Sequence, residues 1–112
     1  MSRRPHELTA ASAAPVFAAL GDATRLSLLS RLCDGQPRSI AQLTEGTTLT
    51  RQGVTKHLAV LERANVVLRE RIGRETRFAV RPATLSRARD YLDRASRQWD
   101  DAIARLKLLV EE

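Results

Sequence analysis

Residues 50–67 read TRQGVTKHLAVLERANVV, and this run constrains the fold more than any other stretch of the chain. Val54, Leu58 and Leu61 recur at the three- and four-residue spacing of one helix face, which must be buried. Thr50 stands where an N-cap side chain belongs, and Asn65 where a left-handed residue ends a helix. The spacing predicts a helix over 51–64. Its other face opens with Arg51, Gln52, Thr55 and Lys56, a short row rich in hydrogen-bond donors. Just upstream, Ser39 can cap a short helix carrying Ile40 and Leu43, and EGTTL at 45–49 interrupts the pattern. Two helices joined by so tight a Gly-containing turn form a helix-turn-helix.

The flanking segments complete a single small domain. Residues 1–12 are polar and without period, so a flexible N-terminal arm is expected. A short helix follows, carrying Val16, Phe17 and Leu20, with Pro15 expected in its first turn, where a missing N–H costs nothing. Gly21-Asp22 ends it. A second helix is expected from about Ala23 to Asp34, with Leu26, Leu29, Leu32 and Cys33 on its apolar side. Gly35 closes it, and Gln36-Pro37-Arg38 make a turn. VVLRERI (66–72) and TRFAVRP (76–82) read as two strands of a hairpin joined by Gly73-Arg74-Glu75. Arg69, Arg71 and Arg77 are expected to point outward, with Arg74 at the tip.

The last segment contains no Gly or Pro after Pro82. Leu85, Leu92, Trp99 and Leu106 are spaced by seven, and Ala88, Ala95, Ala102 and Leu109 follow each by three. This a/d heptad pattern predicts one long helix that needs a partner for its stripe. The partner is the first helix of the same chain, the same helix of a second chain, or both. The expected fold is therefore mainly α with a small two-stranded β wing. It comprises an arm at 1–12, a winged helix-turn-helix core at 13–82, and a C-terminal dimerisation helix at 83–112 within the same domain.

Charge points to the partner. The net charge is +6, and residues 49–81 alone hold eight basic and three acidic side chains, whereas residues 82–112 hold six of each. A local positive field of this kind suits a polyanion, with a solubilising surface as the bland alternative. With 43% hydrophobic residues the chain can bury a core, built mostly of Leu, Val and Ala because only 4% are aromatic. No run approaches the roughly 18 apolar residues of a membrane span. The opening MSRRPHELTAAS has no continuous apolar stretch, so an export signal is not expected. One cysteine, Cys33, allows no intrachain disulfide, and a cytoplasmic location is expected.

These residues carry a resemblance. LGDATRLSLLSRLCDG, SIAQLTEGTTLTRQGVTKHLAVLERANVV and RERIGRETRFAV resemble the ArsR family of bacterial winged-helix repressors over about residues 13–81. The pattern TxxxVTKHLxVLxxAxVV fixes cap, core and polar positions together. The tail RARDYLDRASRQWDDAIARLKLL is similar to a branch of that family with a Trp in the final helix and no known metal motif. Two departures stand out. Asn65 replaces the usual Gly, and Gly53 in the first turn of the reading helix loosens it by about 1 kcal/mol relative to Ala.

The resemblance implies a homodimeric DNA-binding transcriptional regulator, most simply a repressor, on a pseudo-palindromic duplex operator. Arg51, Gln52, Thr55 and Lys56 would then enter the major groove. Gln reads adenine, Arg and Lys read guanine, and Thr55 donates to phosphate or touches a thymine methyl. His57 either satisfies a backbone group or touches phosphate. Arg71, Arg74 and Arg77 of the wing would meet backbone or minor groove, and Arg69 can simply be solvated. Leu85, Ala88, Leu92, Ala95, Trp99, Ala102 and Leu106 form the expected dimer interface. Trp99 serves as its anchor or lines a ligand pocket, and a small-molecule effector of unknown class is a candidate partner.

Other chemistry finds less support. Cys33 is expected to be a buried, inert thiol, with a thiol or metal sensor as the alternative. Metal sites need several thiolates, or His and carboxylates at fixed spacing. The only histidines are His6 and His57, and the short helix SIAQLTEG has no Cys-x-Cys, so neither metal nor other cofactor is expected. No catalytic constellation or phosphate loop suggests an enzyme. An RNA- or protein-binding module on the same basic surface remains the alternative function, although duplex RNA hides its major groove from side chains.

Overall fold

A computed structural model of the protein describes residues 7–111. Its elements run α1 (Ala10–Leu20), α2 (Ala23–Leu32), α3 (Ile40–Thr44), α4 (Arg51–Arg63), β1 (Val67–Ile72), β2 (Glu75–Val80) and α5 (Pro82–Glu111). The chain is mainly helical with one two-stranded antiparallel hairpin, the expected winged helix-turn-helix. Every helix from α1 to α4 begins at a polar cap. Thr9 with Ser12 and Ser39 with Gln42 make reciprocal capping boxes, Asp22 accepts from the Arg25 N–H, and Thr50 accepts from the Gly53 N–H.

One core serves all elements. Leu28 and Leu32 of α2, Leu43 of α3, Val54, Leu58 and Leu61 of α4, and Val66 and Val67 of the wing root are fully buried. Val16 and Ala19 of α1, Phe78 of β2 and Ala88 of α5 close it from the sides. The wing pairs Val67 with Val80 through Ile72 with Glu75. Its root is tied down further, because Arg38 exchanges two backbone hydrogen bonds with Phe78, at 2.9 and 2.7 Å. The segment read as a simple turn thus ends in a one-residue bridge to the sheet.

Several boundaries differ from expectation. Residues 10–12 are helical, not part of an arm, because the Thr9–Ser12 box starts α1 early. Pro15 is consequently the sixth residue of α1 and not in its first turn. The beginning of the expected arm, including His6, lies outside the described residues. α2 stops at Leu32, with Cys33 as its C-cap, and the wing turn is the two residues Gly73-Arg74. Gly73 has φ of 64°, the left-handed conformation that such a hairpin turn demands. Pro82 ends no strand; it opens α5, where a missing N–H is harmless. Asn65 adopts φ of 66°, the left-handed stop expected of it.

Among the described residues, none covers the outer part of α5. Leu85 and Ala88 pack on the protomer's own core, because the first turns of α5 lie across the body. Ala88 is thus buried within the chain, whereas Leu85 is only partly so. Beyond them the stripe emerges: Leu92 is 44% exposed, Trp99 57% and Leu106 60%. Ile103, Leu108, Leu109 and Val110 are exposed as well, and Ala95 and Ala102 are half-buried. No described helix is long and apolar enough to cross a membrane.

Candidate nucleic-acid interface

The candidate interface is built on α4. Its buried face of Val54, Leu58 and Leu61 fixes the rotation of the helix, so the opposite side has no choice but to face out. Arg51, Gln52, Thr55 and Lys56 are all exposed there. Among the described residues, neither Arg51 nor Lys56 has a carboxylate within ion-pair distance. Thr50 holds the start of the helix, its Oγ accepting the Gly53 N–H at 2.9 Å. Thr55 donates its own hydroxyl to the Arg51 carbonyl at 2.7 Å. A Cβ on Gly53 would lie 3.2 Å from the Thr50 hydroxyl, so Gly keeps that cap unstrained.

Arginines set the neighbouring helices at fixed angles. Arg31 of α2 donates to the carbonyls of Leu43 and Gln42 (the latter at 2.9 Å), satisfying the open C-terminal end of α3. Arg38 forms a two-pronged bond to Asp34, at 2.8 and 2.7 Å, and also caps the Arg31 carbonyl. The Arg38 guanidinium beside Asp34 holds its carboxyl far below the usual carboxylate range. At the α1–α2 corner, the Arg25 N–H pulls the Asp22 carboxyl down in the same way.

The wing divides into two faces. Arg69, Arg71, Phe78 and Thr76 share one, and Glu70, Ile72, Glu75 and Arg77 share the other. Arg69 reaches back to α4, pairing with Glu62 at 3.0 and 2.9 Å while its guanidinium lies 5.3 Å above the Phe78 ring. That pairing raises the Arg69 pKa above its ordinary value. Arg71 and Arg74 are exposed, and no described carboxylate pairs with either. Arg74 sits at the tip beside Gly73.

Known proteins with this arrangement settle the family. A helix-turn-helix domain model matches residues 20–70. An ArsR-like transcriptional regulator from Rhodococcus sp. RHA1 superposes with a TM-score of 0.74 at 34% identity, covering 88% of this chain and 92% of that one. The HTH-type transcriptional regulator Rv2034 of Mycobacterium tuberculosis is 30% identical over 93 residues, 83% of each chain. The chain belongs to the ArsR family of transcriptional regulators. The HTH-type transcriptional regulator YuzN of Bacillus subtilis is 37% identical over 65 residues, 53% of this chain and 71% of that protein. The matched proteins are regulators and not enzymes, and the helix-turn-helix is their DNA-binding element.

In this ArsR-family regulator the structure brings together only part of the expected site. Arg51, Gln52, Thr55 and Lys56 share one exposed face of α4, and Arg71 and Arg74 are exposed on the wing. His57 is turned inward instead. It is half-buried, with Nδ1 3.4 Å from Arg25 Nη1 and 3.9 Å from Asp22, so it packs the α1–α2 corner against α4. Arg77 lies on the wing face opposite Arg71, pairs with Glu75 at 3.3 Å and buries its Nε without a partner. Arg69 is not merely solvated, since Glu62 holds it. Cys33 is exposed, not buried, because α2 ends one residue before it. It borders a cleft of about 440 Å³ lined by Leu32, Val80, Pro82, Leu85 and Arg89. The sequence reading missed Arg25, Arg31 and Glu62; each reaches a neighbouring element, and helical spacing carries no signal of that.

Proposed function

We propose that this regulator is a homodimeric repressor that binds a pseudo-palindromic duplex site. The N-terminal half of α4 lies in the major groove, with Arg51, Gln52, Thr55 and Lys56 at the base edges. Arg71 and Arg74 hold the adjoining backbone, and Arg77 contributes less because Glu75 offsets its charge. The observation that carries this reading is the exposed polar face of α4, its Arg51 and Lys56 without a described carboxylate partner, above fully buried Val54, Leu58 and Leu61. The uncovered stripe of α5 supports the second copy, since a soluble protein rarely leaves Leu92, Trp99, Ile103 and Leu106 open along one helix. Repression needs occupancy alone: a dimer lying across a promoter excludes polymerase.

Metal ions are not the inducing signal in this reading. Cys33 and His57 sit on different elements, and the described residues hold no group of three or more ligating side chains. Selection from a random-sequence duplex pool tests the proposal. The expected product is an inverted repeat whose half-sites are centred roughly 34–36 Å apart. Stoichiometric zinc, cadmium or arsenite should leave that complex intact. Recovery of single-stranded or RNA ligands in preference to duplex DNA, at equal salt, overturns the reading.

A further inference from the structure

The hydroxyl proton of Thr55 is already committed within α4. Thr50 Oγ accepts the Gly53 N–H at 2.9 Å, and Thr55 Oγ donates to the Arg51 carbonyl at 2.7 Å. A hydroxyl has one proton to give. Thr55 has given its proton to its own helix, yet the residue is exposed among Arg51, Gln52 and Lys56. A phosphate contact requires a donor, and Arg51 and Lys56 supply donors at lower cost on either side. The bond to Arg51 also fixes χ1, leaving the methyl and an acceptor lone pair as the uncommitted parts of the side chain, of which only the methyl is tested by Thr55→Ser.

We propose that Thr55 reads the C5-methyl group of a thymine by apolar contact. In the major groove only thymine offers an apolar group, so a methyl on the protein matches one base and no other. This rests on the placement of α4 in the major groove proposed above. It adds that one position of each half-site is chosen by a methyl–methyl contact and not by a hydrogen bond.

The test replaces thymine with uracil, which differs by the methyl alone. The probe is the duplex recovered from a random-sequence pool by the wild-type chain, with uracil placed at each thymine in turn. Wild type is expected to lose affinity about fourfold at one position per half-site, the worth of one methyl contact. In Thr55→Ser, which keeps the hydroxyl and loses the methyl, the thymine-to-uracil ratio at that position should fall to about 1. In Thr55→Val, which keeps the methyl and loses the hydroxyl, the ratio should stay near its wild-type value whatever the overall affinity. Circular dichroism verifies that both variants remain helical. Several results overturn the inference: no position sensitive to uracil in wild type, a ratio unchanged in Thr55→Ser, a ratio abolished in Thr55→Val, or a selected site without thymine. Absence of any sequence-specific duplex binding by wild type is a different failure, that of the major-groove reading, and the inference falls with it.

Discussion

Arg51 and Gln52 occupy the first turn of α4, exposed to solvent, while Arg74 occupies the wing tip. Their chemistry separates what each contributes. A bidentate bond to a base edge discriminates sequence, whereas a cation at a phosphate does not. Arg51→Ala or Gln52→Ala should relax preference at one or two base pairs, at about 1–3 kcal/mol each. Arg74→Ala should weaken binding to every sequence alike and reduce the slope of log affinity against log salt by about 1. Binding-site selection and salt titration of the three variants check both. An unchanged site preference in both helix variants removes α4 as the reader. The side chains of this face were legible in the sequence, because Val54, Leu58 and Leu61 dictate the rotation and the outward residues follow. His57 and Arg77 were not. Each has the right place in the chain, but Arg25 and Asp22 lie against His57 and Glu75 pairs with Arg77.

At the scale of the element, the caps and stops around α3 and α4 were read correctly, whereas the start of α1 and the end of α2 were not. Thr50, Ser39 and Asn65 act within a few residues, so cap and stop chemistry exposed α3 and α4. Cys33 was misplaced because one residue of helix length decides whether a side chain faces core or solvent. Asn65 offers a direct test of the stop. At φ of 66° a Cβ is costly unless the side chain suits the conformation. Asn65→Ala should lower stability by about 1 kcal/mol in urea unfolding, and Asn65→Gly should lower it far less. The Asp34–Arg38 clamp gives a pH test. The folded carboxyl titrates well below its unfolded value of about 3.9, so its contribution is complete above that value and is lost as pH falls through the folded pKa. Asp34→Asn should therefore be less stable than wild type from pH 5 to 8. The gap should narrow progressively below about pH 4, and thermal melts across that range measure it.

For the molecule as a whole, α5 is the element with most left to do. Its 30 residues reach about 45 Å, well beyond the body, within a molecule 64 Å in its longest dimension. In the proposed dimer Leu92 and Trp99 lie mid-stripe, and truncating each costs about 2–5 kcal/mol. Leu92→Ala with Trp99→Ala should yield a folded monomer, since both side chains are largely exposed within the chain. Only weak, salt-sensitive DNA binding should persist. Light scattering at micromolar concentration decides, and a double variant that remains a dimer with normal site selection places the dimer surface elsewhere.

α1 lies between the two proposed surfaces, packed on α4 and on α5. In the proposed dimer it would act as the short arm of a lever. In the proposed dimer each reading helix stands about 17 Å from the two-fold axis, half the groove spacing. A change of about 10° in the crossing of the paired α5 helices, carried rigidly by α1, would shift each reader by about 3 Å, close to one base-pair step of 3.4 Å. In that dimer a ligand at the far end of α5 would release DNA without approaching it, because a small tilt there would put both readers out of register at once.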